Sequence, residues 1–156
     1  MKNSDLRQTA LRILARRDHT QRELYDKLLQ RGFLPQDVSA LCQEFVQQGY
    51  LDDRRVAASL LESATGRAST GAKLFRKRLI ERGLPPELVE GTVAAYEEQT
   101  EALAPAMRLA LQLHARGKDG AFIQRHLWRK GFSAQDIRTA LRELEGTCID
   151  NGQAEG

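Results

Sequence analysis

One helical segment occurs three times in this chain, each copy closed by a glycine and rich in basic residues. Leu24 and Leu28 stand eight and four residues before Gly32, Phe75 and Leu79 before Gly83, and Ile123 and Leu127 before Gly131. Arg31, Arg82 and Lys130 immediately precede the glycines, and Phe33, Leu84 and Phe132 follow them. Val38, Val89 and Ile137 come six residues after them. The glycines are 51 and 48 residues apart, just above the spacing usual for two- and three-helix repeats. A unit this short cannot bury a core alone, so neighbours must stack. The repeat therefore predicts an all-α fold, an elongated array of three tandem three-helix repeats with about nine helices.

Start and stop signals divide the chain to match. Ser4-Asp5 opens a first helix expected to run to about Arg17. Thr20 and Glu23 have capping-box spacing, in which hydroxyl and carboxylate satisfy free amides at a helix start. Gly32 supplies the left-handed residue that ends the second helix. Pro35 suits the first turn of the third, which should end near Gly49. Asp52 or Asp53 caps the fourth, and Ser69 or Thr70 the fifth, which Gly83 closes. Pro85-Pro86 starts the sixth. The seventh should begin between Glu101 and Pro105 and end at Gly117, with Pro105 either in its first turn or kinking a longer helix. Asp119 caps the eighth, Gly131 closes it, and the ninth starts at Ser133 and is expected to fade before Gly146. The repeats are placed at 1–50, 51–100 and 101–146, followed by a disordered polar tail at 147–156. No segment alternates apolar and polar residues long enough to argue for a strand.

The formal charge of +3 conceals a segregation of sign. Arg67 to Arg82 holds six basic residues and one acid, whereas Gly83 to Met107 holds five glutamates and no Lys or Arg. A polyanion-facing side would produce this pattern, and so would two solvated helix surfaces. The most apolar stretch, Leu103 to Leu113, is short and carries Arg108, so no membrane span is expected. The N-terminal residues lack the apolar core of a signal peptide. Cys42 and Cys148 have no ligand spacing, and reduced thiols in a cytoplasm account for both; Cys42 reads as a core residue.

His19, His114 and His126 are scattered, and His126 stands where the other copies have Lys27 and Arg78. No catalytic residue, metal or cofactor is expected. Residues 66–73 have the two glycines of a phosphate-binding loop, but Lys73 comes one residue late and Leu74 replaces the metal-binding hydroxyl. The segment before them is helical, which removes the nucleotide-site reading and leaves only amides at a helix start that could receive an anion.

The basic second helices of the repeats are the main functional signal. Candidate contact residues are Arg22, Arg31, Lys73, Arg76, Lys77, Arg82, Arg125, Arg129 and Lys130, with Arg54 and Arg55 at the joint between the first two repeats. Stacked repeats would bring these helices onto one continuous surface. On the fifth helix Ala72, Phe75, Leu79 and Ile80 form the expected apolar arc, so Arg76 must snorkel from within it. A basic row beside Tyr25 or Trp128 suits phosphate contact plus stacking. The competing account is structural: a cation in the last turn of a helix gains about 0.3–1 kcal/mol from the dipole. A tryptophan at helical spacing is, moreover, more often a packing residue than a ligand platform.

Gly49-Tyr50-Leu51-Asp52-Asp53-Arg54-Arg55-Val56-Ala57 resembles the signature joining the first two repeats of the RecX family, an aspartate followed by Glu-Arg-Phe-Ala. Gly71 through Leu79 to Gly83-Leu84 is similar to the family's second repeat. Leu127-Trp128-Arg129-Lys130-Gly131-Phe132, with Asp136-Ile137 and Leu141, is similar to its third. The likeness spans about Leu11 to Leu144. Arg54 departs from the usual glutamate and adds positive charge, and Val56 fills less space than the usual phenylalanine. The resemblance implies a bacterial modulator of the recombinase RecA. Such a protein lies in the groove of the RecA filament on single-stranded DNA and restrains ATPase activity, strand exchange and LexA self-cleavage. A cytoplasmic monomer binding single-stranded DNA weakly and electrostatically would fit. A helix-turn-helix-like module that binds DNA generally is the alternative from the residues alone, and a helical scaffold with no DNA role is the third reading.

Overall fold

A computed structural model describes residues 2–66, 70–100 and 103–150. Among the described residues there are nine helices and no strand: α1 Lys2–Leu14, α2 Gln21–Gln30, α3 Pro35–Gln47, α4 Asp53–Gly66, α5 Ala72–Glu81, α6 Pro86–Gln99, α7 Leu103–Ala115, α8 Gly120–Arg129 and α9 Ala134–Asp150. The helices pack into two units. One is built from Met1–Leu60 with Leu79–Glu90, the other from Leu61–Arg78 with Gly91–Gly156.

The first unit is centred on α1, α2 and α3. Leu24 and Leu28, one turn apart on α2, are fully buried with Ala10, Val38 and Phe45. Each buried leucine contributes roughly 2 kcal/mol. Thr20 makes the expected capping box: its Oγ1 accepts from the Glu23 amide at 3.1 Å, and its own amide donates to Glu23 Oε2 at 3.0 Å. The Gln21 amide donates to Asp53 Oδ1 at 2.9 Å, so α4 completes the satisfaction of the first turn. Thr20 has a further partner. Its hydroxyl donates to the carbonyl of Arg82 at 2.6 Å, immediately before Gly83, whose φ is +76°. A Cβ on Gly83 would stand 2.8 Å from Arg22 Cβ.

The second unit is centred on α7, α8 and α9, whose core includes Ala106, Ala110, Ile123, Leu127, Phe132 and Ile137. Asp119 caps α8 by accepting from the Phe122 amide at 2.7 Å. The joint seen at Gly83 recurs here. Gly71, just ahead of α5, donates its amide to the carbonyl of Lys130 at 2.7 Å, immediately before Gly131, whose φ is +83°. The approach is closer than side chains permit: a Cβ on Gly131 would lie 2.4 Å from the Leu74 nitrogen, and one on Gly71 2.2 Å from the Gly131 carbonyl. Phe75 packs against Tyr96 with ring centres 4.6 Å apart.

Several ends differ from expectation. Helix α1 stops at Leu14 rather than Arg17, because the Arg16 amide closes a tighter turn onto Ile13. The His19 ring then engages the Arg17 carbonyl at 2.8 Å, which leads the chain into Thr20. Helix α5 starts after Gly71 and not on Thr70, whose carbonyl is bound by the Tyr96 hydroxyl; Ser69 lies outside the described residues. Pro105 takes the first turn of α7. Helix α9 passes through Gly146 to Asp150, Thr147 donating to the Glu143 carbonyl at 2.7 Å. The first residues of the expected disordered tail are therefore helical, and 151–156 lie outside the described residues.

Replacing the three turn glycines separates conformational strain from packing. Gly32→Ala meets open space at φ +85° and is expected to cost only the left-handed strain, about 1–2 kcal/mol. Gly83→Ala should cost more, and Gly131→Ala most, because its new Cβ meets backbone. Urea unfolding of the three variants gives the order directly, and equal losses would remove the joint from this account.

Candidate functional site

The expected contact residues fall into two physical groups. Arg55 and Arg82 are held by acids of the first unit. Arg55 reaches Asp18 Oδ1 through Nε at 3.2 Å and Nη2 at 3.0 Å, an interaction that raises its pKa. Arg82 Nε donates to Glu23 Oε1 at 2.6 Å and its Nη2 to the Asp18 carbonyl at 3.3 Å. Arg17 pairs with the same Glu23 at 3.2 Å. Burial pushes the Glu23 carboxyl up, but the bonds from Arg82, Arg17 and the Thr20 amide outweigh it and hold it below its ordinary value.

The second group faces solvent. Arg22 is exposed, with a loose pair to Asp26 at 3.7 Å of the kind worth under about 1 kcal/mol. Arg31 and Arg54 are exposed in the first unit. In the second unit Arg76 and Lys77 are exposed on α5, and Arg125 and Arg129 on α8, while Lys130 is half-buried. Lys73 Nζ sits 5.3 Å from the centre of the Trp128 ring.

Two expectations about packing are corrected. Ile80 is 59% exposed, so the buried face of α5 narrows to Phe75 and Leu79. Arg76 lies one turn before Ile80 on that exposed side and has no need to snorkel. Trp128, expected to pack, is 58% exposed.

Two grooves join cations from the repeat pattern with others that it did not single out. In the first unit Arg12 and Arg16 from the end of α1 join Lys27, Arg31 and the half-paired Arg17 around a cleft of about 620 Å³. Buried His19 lines it; burial lowers its pKa against the opposing bond to the Arg17 carbonyl. Among the described residues, Arg12, Arg16, Lys27 and Arg31 have no carboxylate at ion-pairing distance. In the second unit Phe122, Arg125, Trp128, Arg129, Ile137 and Arg138 line a groove of about 770 Å³. The signal for the first was the i, i+4 spacing of Arg12 with Arg16, and for the second Arg138 on the ninth helix, all outside the second helices of the repeats. No group of three or more His, Cys, Asp or Glu side chains among the described residues is arranged to hold a metal. Cys42 is buried, which pushes its thiol up. Among the described residues no helix is long and apolar enough to cross a membrane.

The chain is similar to known proteins along most of its length. The family pattern described as "RecX, first three-helix domain" matches residues 7–44, which run from α1 into α3. A regulatory protein RecX of Vibrio vulnificus is 31% identical over 138 residues, covering 86% of this chain and 90% of the relative. Its counterpart in Serratia proteamaculans is 30% identical over 167 residues, covering 90% and 98%. That of Xanthomonas axonopodis pv. citri is 33% identical over 142 residues, covering 86% and 85%. The crystal structure of RecX from Lactobacillus salivarius superposes with a TM-score of 0.78 over 92% of this chain and 96% of that one, at 22% identity, which establishes the all-helical fold.

The Glu23 cluster makes the first unit acid-sensitive. A carboxylate whose folded pKa is depressed adds stability that is present above its ordinary value of 4.5 and lost as pH falls through the lower folded value. Glu23→Gln is expected to destabilise the protein at neutral pH by about 2 kcal/mol and to flatten the decline in stability below pH 4.5. Denaturation midpoints across that range check both effects.

Proposed function

The chain belongs to the RecX family, and from that premise we propose that it is a non-enzymatic regulator binding the RecA filament on single-stranded DNA in the cytoplasm. It restrains the filament's ATP hydrolysis, strand exchange and stimulation of LexA self-cleavage. The observation that carries this reading is the exposure of cations on all three second helices, Arg22 and Arg31 on and just after α2, Arg76 and Lys77 on α5, and Arg125 and Arg129 on α8. A protein–DNA filament presents phosphates and acidic side chains together, and dispersed guanidinium and ammonium groups suit such a surface better than one recognition helix.

Three modules, placed at 1–50, 51–100 and 101–146, engage successive parts of the filament, so weak contacts add through high effective concentration. The protein acts as a monomer, and its affinity for free single-stranded DNA is weak and electrostatic. Arg54 and Arg55 extend the surface at the joint between the first two modules, while Arg82 holds that joint together through Glu23.

Reversing Arg76 and Lys77 to glutamate is expected to abolish inhibition of DNA-dependent RecA ATP hydrolysis while helical content measured by circular dichroism stays unchanged. Full inhibition by that variant would take α5 out of the contact surface. Failure of the wild-type protein to slow ATP hydrolysis would overturn the regulatory reading. Tight sequence-dependent duplex binding that persists as salt rises would favour a helix-turn-helix-like reader instead.

A further inference from the structure

We propose that the groove along α8 and α9 holds one nucleotide of single-stranded nucleic acid, its base stacked on Trp128 and its flanking phosphodiesters paired with Arg125, Arg129 and Arg138. The proposal rests on the nucleic-acid part of the reading above and gives it a residue-level site.

The first support is the exposure of the indole. Trp128 is the chain's one tryptophan and is left 58% exposed, although burying a side chain of this kind would add a few kcal/mol of stability. The groove beside it is floored by carbon from Phe122 and Ile137. Phe122 is backed by the His126 ring, stacked at 6.0 Å, which gives the floor a firm aromatic edge. The volume of about 770 Å³ is within the range of sites that take small organic ligands.

The second support is the rim. Arg125 and Arg129 are one helical turn apart on α8, and Arg138 approaches from α9. All three are exposed, and none has a carboxylate at ion-pairing distance among the described residues. Lys73 adds a fourth cation, 5.3 Å from the indole centre; it steadies the ring through cation–π attraction and leaves a second face for a base. An aliphatic segment of a protein would fill the floor but leave this cationic rim unmatched. A nucleotide matches both, because its base is a flat π surface and its two phosphodiesters are anions. Sequence-tolerant binding of single strands uses this pairing of aromatic platform and cations.

Because Trp128 is the only tryptophan, its emission reports the groove. The full chain is titrated, without RecA, with an oligothymidylate of roughly a dozen nucleotides and separately with an abasic oligomer of equal length. The expected result is quenching by oligothymidylate at concentrations where the abasic oligomer has little effect. Measured with a fluorescein-labelled strand, Trp128→Ala should weaken binding by about five- to a hundredfold, and Trp128→Phe should retain most of it. Arg138→Glu, which leaves the indole in place, should weaken binding and steepen none of the unfolding transitions. Equal affinity for the two oligomers, or unchanged binding by Trp128→Ala, overturns the stacking site. So does emission that responds to RecA protein but not to oligothymidylate, which would make the groove a protein contact.

A parallel RecA ATPase assay separates the two claims. If the wild-type protein restrains ATP hydrolysis but its emission ignores oligothymidylate, the groove proposal fails and the regulatory reading stands. If oligothymidylate quenches and Trp128→Ala loses binding while ATP hydrolysis is untouched by the wild type, the groove stands and the regulatory reading fails.

Discussion

A carbonyl next to a left-handed glycine is the point on which each packing unit turns. Once Gly83 or Gly131 ends its helix, the carbonyl just before it points away from the helix with no intrahelical partner. The start of another helix supplies the donor: the Thr20 hydroxyl in the first unit and the Gly71 amide in the second. A helix start offers donors and a helix end offers acceptors, so one bond answers deficits on both sides. Glycine is required twice over at Gly131, for its positive φ and for the approach of Leu74.

This arrangement sorts the basic residues. Glu23 closes the capping box on Thr20 and also accepts from Arg82 and Arg17, so one carboxylate fixes a helix start, a turn and two guanidiniums. Asp18 engages Arg55 in the same way. Arg82 and Arg17, which share Glu23, hold the fold, whereas Arg55 keeps an exposed side chain beside Asp18. The arginines on the outer faces of α2, α5 and α8 are spread along surfaces where water competes with any single ion pair, which suits long-range attraction better than stability.

Much of this could be read before the coordinates. The six positions spaced eight and four residues before the glycines, Leu24, Leu28, Phe75, Leu79, Ile123 and Leu127, are all buried, because a helix repeats its inward direction about every four residues. The caps at Thr20 and Asp119 were legible for a similarly local reason, since hydroxyl and carboxylate side chains satisfy amides within their own turn. The misses are tertiary. Ile80 carries a side chain that a helical wheel adds to the apolar arc, and only the positions of neighbouring helices leave it outside; Trp128, for which packing and stacking were both open, is likewise exposed. Gly146 reads as a stop, but a glycine can keep helical angles when the following turn is bonded, as Thr147 does here. The arginines of α1 lie outside the repeated second helices, and their role depends on tertiary packing, since the cleft is formed by what α1 brings beside α2.

The bond from Thr20 to Arg82, like that from Gly71 to Lys130, joins unlike surfaces: a helix beginning on one side, a helix ending on the other. Contacts of that kind have a sense, as tongue-and-groove boards do, and cannot be reversed to satisfy themselves. The polarity of the chain is thus written into its joints, each of which closes only with the helix beginning and the helix ending on their own sides.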